Sequence, residues 1–292
     1  MKYKIVLVCA VVVAAIQQTT AQNFDSVEIK TVKITETISM LQGSGGNIGV
    51  LTGKDGIVII DDQFAPLSEK IKAALKTLSD KSVRFVINTH FHGDHVGGNE
   101  NFGGAGAIIV AQDNTRLRMT SDQFSKAMDF EQKAAPYDAL PKVTFADSVT
   151  LHLNGETAQV IHVKNAHTDG DAFIYFKESN VIHAGDVFVR YGLPFIDQEH
   201  GGSINEMIDG VDKLLSITNE NSKIIPGHGD LAKKQDVVQY GQMLVTIRDR
   251  VQNAMNDGKT FDQVVEMDPT KGYAGGMDAK TFIKTVYDSL KK

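Results

Sequence analysis

Cysteine is almost absent from this chain of 292 residues, and proline is scarce. The single cysteine is Cys9, so the rest of the chain forms no internal disulfide bond and offers no thiolate to a metal. Any metal ligands must therefore be histidine, aspartate or glutamate. The six prolines form no Pro-rich linker, and we find no internal repeat or low-complexity segment that would divide the chain.

Positive charge is also in deficit. The chain holds 30 lysine and arginine residues against 36 acidic residues. This balance argues against a nucleic-acid ligand, because binding to nucleic acid depends on neutralising phosphates with lysine and arginine. We expect a small-molecule substrate instead, and the sequence leaves the oligomeric state open.

One long apolar run stands at the N-terminus. Residues 1–4 carry two lysines, residues 5–16 are almost wholly apolar, and residues 19–21 are small. This pattern is typical of a secretory signal peptide and is too short to favour a transmembrane helix. We therefore predict a signal peptide over residues 1–21, export, and a periplasmic location in a Gram-negative cell. The remaining 28 basic and 36 acidic residues give a net charge of −8.

Short β-rich runs and helical patterns alternate over residues 22–292, which we predict to form one domain of the α/β (α+β) class. The predicted strands are 27–34, 37–41, 47–52, 56–60, 83–88, 108–110, 148–153, 157–163, 172–176, 181–183 and 223–226. The predicted helices are 71–78, 111–119, 204–217, 237–251 and 282–290. A second β-rich half is expected to begin near Val143. Ser203 is expected to cap the helix that follows it, with His200 in the preceding loop.

The most informative segment is the heptad Thr89–His95, Thr-His-Phe-His-Gly-Asp-His, which follows the apolar strand predicted over 83–88. Imidazole and carboxylate ligands without thiolate suit zinc, and less exclusively iron or manganese. Within six positions the heptad carries four side chains that bind metals, namely His90, His92, Asp94 and His95.

The spacing within the heptad suggests two metal positions. His90 and His92 alternate, so an extended backbone directs both imidazoles to one side and Phe91 to the other, toward the core. A turn at Gly93 lets the two ligands after it reach a second point. The heptad therefore predicts a metal site in which one strand end supplies ligands to two ions.

The heptad resembles the H-x-H-x-D-H signature of the metallo-β-lactamase superfamily. Further segments resemble the other motifs of that superfamily in the expected order, namely 56–61, 165–171, 183–186 and 224–229. The resemblance implies a four-layer αββα sandwich with the ligands at strand ends. It says much less about the substrate, because this fold carries many chemistries.

The resemblance also implies a division of the ligands between two zinc ions bridged by Asp186. The other ligands would be His90, His92 and His167 for the first ion, and Asp94, His95 and His228 for the second. A hydroxide between the ions would attack the substrate carbonyl. This implies an exported binuclear zinc hydrolase that acts on a small ester, thioester, lactone or lactam.

Residues around the ligands receive supporting roles. We expect Asp94 to orient the nucleophile as well as to bind metal, and Asp61 to accept a hydrogen bond from a ligand imidazole or the heptad backbone. Asp62 is the alternative acceptor. Arg190 is either a clamp for a substrate carboxylate or an exposed structural arginine. Residues 43–46 form either a flap over the metals or an ordinary hairpin tip.

Two alternative activities stay open. The zinc β-lactamases place cysteine or serine where this chain has Asp186, whereas thioester hydrolases of the glyoxalase II type place a bridging aspartate there. β-Lactamase activity, weak or promiscuous, is therefore an alternative. Glyoxalase II itself is disfavoured by export and by the lack of a basic cluster after His228. A mononuclear iron persulfide dioxygenase, which has a similar heptad, is the other alternative.

Overall fold

The computed structural model describes residues 23–126 and 130–291, and its strands are short. In chain order they are β1 (Lys30–Lys33), β2 (Ile38–Gln42), β3 (Ile48–Leu51), β4 (Ile57–Ile60), β5 (Val83–Ile87), β6 (Ile108–Gln112), β7 (Gln123–Ser125), β8 (Phe130–Gln132), β9 (Val143–Phe145), β10 (Ser148–Leu153), β11 (Glu156–His162), β12 (Ala172–Phe176), β13 (Val181–His183) and β14 (Lys223–Ile225).

Helices flank these strands along the chain. In chain order they are α1 (Ser68–Leu78), α2 (Gly93–Val96), α3 (Asn99–Gly103), α4 (Asp113–Met119), α5 (Ile204–Ile217), α6 (Lys234–Asn256), α7 (Phe261–Glu266) and α8 (Ala279–Ser289). The start of α5 agrees with the prediction, because the Ser203 side chain accepts a hydrogen bond from the Glu206 N–H at 3.4 Å.

The strands form two main sheets. The first has the order β1-β2-β3-β4-β5-β6-β9, antiparallel from β1 to β4 and parallel from β4 to β9. The second has the order β10-β11-β12-β13-β14, with only the last pair parallel. The hairpin β7–β8 stands apart from both.

Apolar side chains fill the space between the two sheets. The inner faces contribute residues such as Met40 and Ile60 from the first sheet and Val160 and Ile174 from the second. Full burial of one such side chain stabilises the folded state by about 1.5–3 kcal/mol. The alternation of apolar residues seen in the sequence is therefore the main reason why the sheets face each other.

Helices cover the outer face of each sheet. Ile71 and Leu75 of α1 and Phe102 of α3 pack on the first sheet. Residues of α5, α6 and α8, among them Val211 and Leu244, pack on the second. These layers confirm the predicted four-layer αββα sandwich.

One boundary in the sequence-based prediction was wrong. Val143 does not begin the second β-rich half, because Val143–Phe145 (β9) pairs with β6 at the edge of the first sheet. The second sheet begins at Ser148. A three-residue strand carries too few alternating positions for its sheet to be assigned from sequence.

The parallel pairs bring several strand ends to one edge of the sandwich. Ile60 of β4 pairs with Ile87 of β5, and the N–H of Asp61 donates to Ile87 O at 3.0 Å. In the second sheet, His183 of β13 pairs with Ile225 of β14. Loops that follow parallel strands lie at the same edge, which is where α/β sheets usually bind ligands.

No helix among the described residues combines the length and the apolar character needed to cross a membrane. The predicted signal peptide, residues 1–21, lies outside the described residues. The division into a signal peptide and one domain over 22–292 therefore stays a prediction.

Candidate metal centre

The predicted metal ligands come from four loops at one edge of the sandwich. The heptad Thr89–His95 leaves β5 and enters α2, His167 precedes β12, and Asp186 and His228 follow β13 and β14. All of them meet in three overlapping groups whose ligand atoms lie within 4.8 Å of one another, namely His90, His92 and His167; His90, His95 and Asp186; and Asp94, His95 and His228.

We call His90, His92 and His167 the inner triad, because all three side chains are buried. The Nε2 atom of His90 lies 3.1 Å from Nδ1 of His92. The Nε2 atom of His167 lies 2.9 Å from the same atom of His92. One nitrogen of each ring therefore faces a common centre. Whether these contacts are hydrogen bonds or contacts between two lone pairs depends on the tautomer of each ring.

Hydrogen bonds behind the rings fix the tautomers of His92 and His167. Nε2 of His92 lies 2.8 Å from Oδ2 of Asp197, and Nδ1 of His167 lies 2.8 Å from the backbone oxygen of Phe195. Carboxylate and carbonyl oxygens only accept hydrogen bonds, so each neutral ring donates its proton outward. The inward nitrogens are left as unprotonated lone pairs.

His90 is fixed in the same sense. Its Nδ1 lies 3.0 Å from Oγ1 of Thr89, and that hydroxyl donates its own proton to Oδ2 of Asp61 at 2.7 Å. The Thr89 oxygen therefore accepts the proton of His90 Nδ1. Three lone pairs thus converge with no proton between them, and they repel one another unless a cation lies at their centre. This arrangement fits a bound metal ion.

We call Asp94, His95 and His228 the outer triad, because it opens toward solvent. The side chains of Asp94 and His228 are 28% and 23% exposed. Nε2 of His228 lies 3.3 Å from Oδ2 of Asp94 and 3.3 Å from Nε2 of His95. The Nδ1 proton of His95 is donated to Asp61 at 2.7 Å, so Nε2 of the ring faces the same centre.

Asp186 lies between the two triads. Its Oδ1 is 3.2 Å from His95 Nε2, and its Oδ2 is 3.3 Å from His228 Nε2 and 3.8 Å from His167 Nε2. Its approach requires glycine at position 227, where a Cβ atom would lie 1.9 Å from Oδ1. This is the position expected of a ligand that bridges two ions. The donors are nitrogen and carboxylate oxygen, which suit zinc and less exclusively iron or manganese.

Asp61, rather than Asp62, contacts a ligand imidazole. Besides the ring of His95, Asp61 accepts hydrogen bonds from the N–H and the hydroxyl of Thr89 at 2.8 and 2.7 Å. Asp62 points elsewhere and accepts the Gly98 N–H at 2.8 Å. One buried carboxylate therefore anchors both ends of the heptad loop.

The two triads differ in electrostatics. Burial lowers the pKa of His90 and lowers that of His167 to about 4, so both rings are neutral at pH 7. In the outer triad burial opposes the ionised forms, but charge pairing prevails. Asp186 raises the pKa of His228 to about 9, and the neighbouring histidines lower the pKa of Asp94 to about 2.

Asp197 is a supporting residue that the sequence analysis missed. Its Oδ2 contacts both His92 and, at 2.7 Å, Nδ1 of His200. His200 is buried in its loop, and its ring packs on Phe91 at a centroid distance of 5.0 Å. The only available signal was an aspartate three residues before a histidine, which matches no motif.

Arg190 is not a carboxylate clamp in this structure. Its guanidinium donates to the backbone oxygens of Asp230 at 3.2 Å and Leu231 at 3.0 Å, and it pairs with Asp236 at 3.2 Å. These partners hold it away from the residues that line the cleft. Arg190 instead braces the segment between the ligand loop of His228 and α6, which corrects the predicted substrate role.

The glycine-rich segment 43–46 is tied to the heptad. The Gly46 N–H donates to the backbone oxygen of Asp94 at 3.0 Å, and Gly46 O accepts the amide of Gln63 at 2.7 Å. A Cβ atom at position 46 would lie 2.2 Å from the His95 ring. The segment thus supports the outer triad from one side, and only glycine fits beside the ring.

A cleft of about 550 Å³ opens above the triads. Asp94, Asp186 and His228 form its floor, and aromatic side chains form much of its wall. The residues that line it are Phe64, His92, Gly93, Asp94, Glu131, Gln132, Asp186, Tyr191, Phe195 and His228. Strand β8, which contributes two of them, was not predicted from the sequence.

Comparisons with known proteins agree on the family. The family model described as the metallo-beta-lactamase superfamily matches residues 41–228. The linear primary-alkylsulfatase of Pseudomonas sp. is 23% identical over 259 residues, which cover 74% of this chain and 48% of that enzyme. This chain therefore spans about half the length of that relative.

Two further relatives cover more of their own length. The hydroxyacylglutathione hydrolase of Pelagibacter ubique is 25% identical over 198 residues, covering 66% of this chain and 70% of that protein. The solved structure of a metallo-beta-lactamase from Pontibacter korlensis has a TM-score of 0.61 at 18% identity, covering 74% of this chain and 99% of that one. The structural match supports the fold alone.

Proposed function

Since this chain belongs to the metallo-beta-lactamase superfamily, whose members are metal-dependent hydrolases, we propose that it is a binuclear zinc hydrolase. Its substrate would be a small ester, thioester, lactone or lactam. The observation that carries the proposal is the convergence of the inner lone pairs beside an outer triad, with Asp186 in contact with both. This arrangement supports the proposal of two adjacent ions.

Zinc ions bound there would lower the pKa of a water molecule between them and polarise the substrate carbonyl. The remaining work belongs to the side chains. Asp94 faces the cleft, where its carboxylate would accept a hydrogen bond from the attacking water and orient it. Asp61 and Asp197 keep the rings of His95 and His92 in the tautomer that presents a lone pair inward.

Export is part of the proposal and rests on the sequence pattern of residues 1–21. The acidic composition, with a net charge of −6 for the whole chain, supports a small-molecule substrate over a nucleic acid.

Sulfate-ester hydrolysis is a second candidate. The alkylsulfatase relative supports it, because the match extends over 74% of this chain. An apolar cleft beside a metal centre also suits an alkyl chain. A sulfate ester would place its charged group at the metals, whereas a carboxylic ester would place its carbonyl there.

The test is a hydrolysis screen of the zinc-loaded protein against β-lactams, lactones, thioesters, carboxylic esters, alkyl sulfates and phosphodiesters, with Asp94→Ala as the control. Turnover of carbonyl substrates that is lost in the control supports the proposal. Control-sensitive turnover confined to alkyl sulfates would replace it with the second candidate. Metal analysis that finds one iron per chain, with oxygen consumption, would instead favour a persulfide dioxygenase.

A further inference from the structure

The walls of the cleft are aromatic on both sides of the metal centre. The ring of Phe195 lies 5.8 Å from that of His92 and 5.7 Å from that of His167. On the opposite side, the ring of Tyr191 lies 5.6 Å from that of His228. A substrate whose reacting group lies over the ions must therefore place its flanking groups against aromatic surface.

Cations are missing from the same walls. Among the described residues that line the cleft there is no lysine and no arginine, and the charged residues beyond the ligands reduce to Glu131. Glu131 is itself paired with Lys133, and Arg190 is engaged with Asp236. A substrate carboxylate away from the metals would lose its hydration here without gaining a counter-ion.

One polar group on the wall has no hydrogen-bond partner among the described residues. The amide of Gln132 donates through Nε2 to Phe91 O at 2.8 Å, which fixes the orientation of the side chain. Its Oε1 is buried without a partner and would lie 3.4 Å from a Cβ atom at Gly93. The wall therefore holds an unpaired acceptor next to the ligand loop, and no lysine or arginine among the described lining residues accompanies it.

We infer that the substrate carries no charge away from its reacting group, and that an N–H or O–H next to that group donates a hydrogen bond to Gln132 Oε1. This inference rests on the proposed function. It excludes substrates whose recognition depends on a second anionic group, such as a carboxylate distant from the scissile bond.

A matched pair of esters tests the charge preference. The 4-nitrophenyl ester of pentanoic acid and the 4-nitrophenyl monoester of glutaric acid differ by a terminal carboxylate. We expect kcat/KM of the zinc-loaded protein to favour the neutral ester by at least about tenfold. Glu131→Lys adds a cation at the rim and should lower the ratio of kcat/KM for the neutral ester to kcat/KM for the charged ester several-fold. Glu131→Gln should lower this ratio less.

A second pair tests Gln132. The variant Gln132→Met removes the acceptor and also the Nε2 donor to Phe91 O, so two esters are compared in the same variant. The loss of kcat/KM should be at least about tenfold greater for the 4-nitrophenyl ester of N-acetylphenylalanine than for the 3-phenylpropionate ester. An equal loss for both esters would mean that Gln132 acts only on the structure of the cleft.

Binding measurements separate this inference from the proposed function. Saturation-transfer NMR would compare 2-heptanone with 6-oxoheptanoate on the chelator-treated His228→Ala variant, because a carboxylate can itself bind zinc or pair with the His228 ring on the cleft floor. Weaker binding of 6-oxoheptanoate than of 2-heptanone supports the inference even if neither ester is hydrolysed. Equal or tighter binding of 6-oxoheptanoate, or preferred turnover of the glutarate ester by the zinc-loaded protein, would overturn it.

Discussion

The inner and outer triads lie side by side but are built differently. In the inner triad every ring is buried, and the outward nitrogen of each ring is held by a hydrogen bond. In the outer triad Asp94 and His228 are partly exposed, and Asp94 lines the cleft. The inner ligands are thus all buried and fixed by hydrogen bonds, whereas two of the three outer ligands are partly exposed in the cleft.

The two triads also differ in the protonation state of their ligands. The inner rings of His90 and His167 are neutral at pH 7 because burial lowers their pKa. In the outer triad, Asp94 and His228 hold opposite charges. The inner triad is therefore suited to hold an ion tightly, and the outer triad to exchange water, protons and substrate.

The largest expected effect comes from Asp94. Asp94→Ala removes the carboxylate that faces the cleft, so kcat should fall at least about 10³-fold, roughly 4 kcal/mol in the activation barrier. The inner triad is untouched, so at least one zinc ion per chain should remain by elemental analysis. Loss of all metal together with activity would show that the two triads do not act separately.

Asp197 tests the preorganisation of the inner triad. Asp197→Ala removes the acceptor that fixes His92, so zinc affinity should fall about 10–100-fold by competition with a chromophoric chelator. His200→Gln, which keeps Asp197 in place, is the matched control and should change the affinity much less. An unchanged affinity in Asp197→Ala would refute a role for this carboxylate in holding the ligand.

Proton competition should distinguish the triads. Asp186 raises the pKa of His228 to about 9 and raises that of His95 as well, so the outer triad must release protons when zinc binds at pH 7. Affinity for the weaker zinc should therefore rise at least about tenfold per pH unit between pH 6 and 8, while affinity for the tighter zinc changes little. Calorimetry in buffers of different ionisation enthalpy would count the released protons.

The smallest expected effect is that of Arg190→Ala. Its partners lie outside the cleft, so KM for any substrate should stay within about twofold, and the free energy of unfolding should fall by at most about 1 kcal/mol. A selective rise in KM for a carboxylate substrate would restore the clamp that the sequence suggested.

The strands and the heptad ligands could be predicted because their signals are local, whereas the sandwich was implied by the resemblance to the superfamily. His90, His92, Asp94 and His95 fall in one heptad, and most predicted strands show apolar residues in a run or in alternation. The supporting contacts are not local. Asp197 contacts His92 although the two residues are 105 positions apart in the sequence. No local sequence pattern therefore predicts this contact.

Local sequence signals also led to a wrong prediction where a side chain had other partners in the fold. Arg190 follows Asp186 by four positions, which suggested a shared cleft. Its guanidinium turns instead toward residues 40 to 46 positions later in the chain. The β8 wall was missed because three-residue strands carry too little periodicity to be recognised.

The most direct test of two neighbouring and unequal metal sites is a zinc titration of chelator-treated protein, with bound metal counted by elemental analysis. The proposed function predicts two zinc ions per chain that bind with different affinities. His228→Ala should lose the weaker ion and retain the tighter one. A single zinc ion per chain in the unmodified protein at saturation would contradict the two-site account.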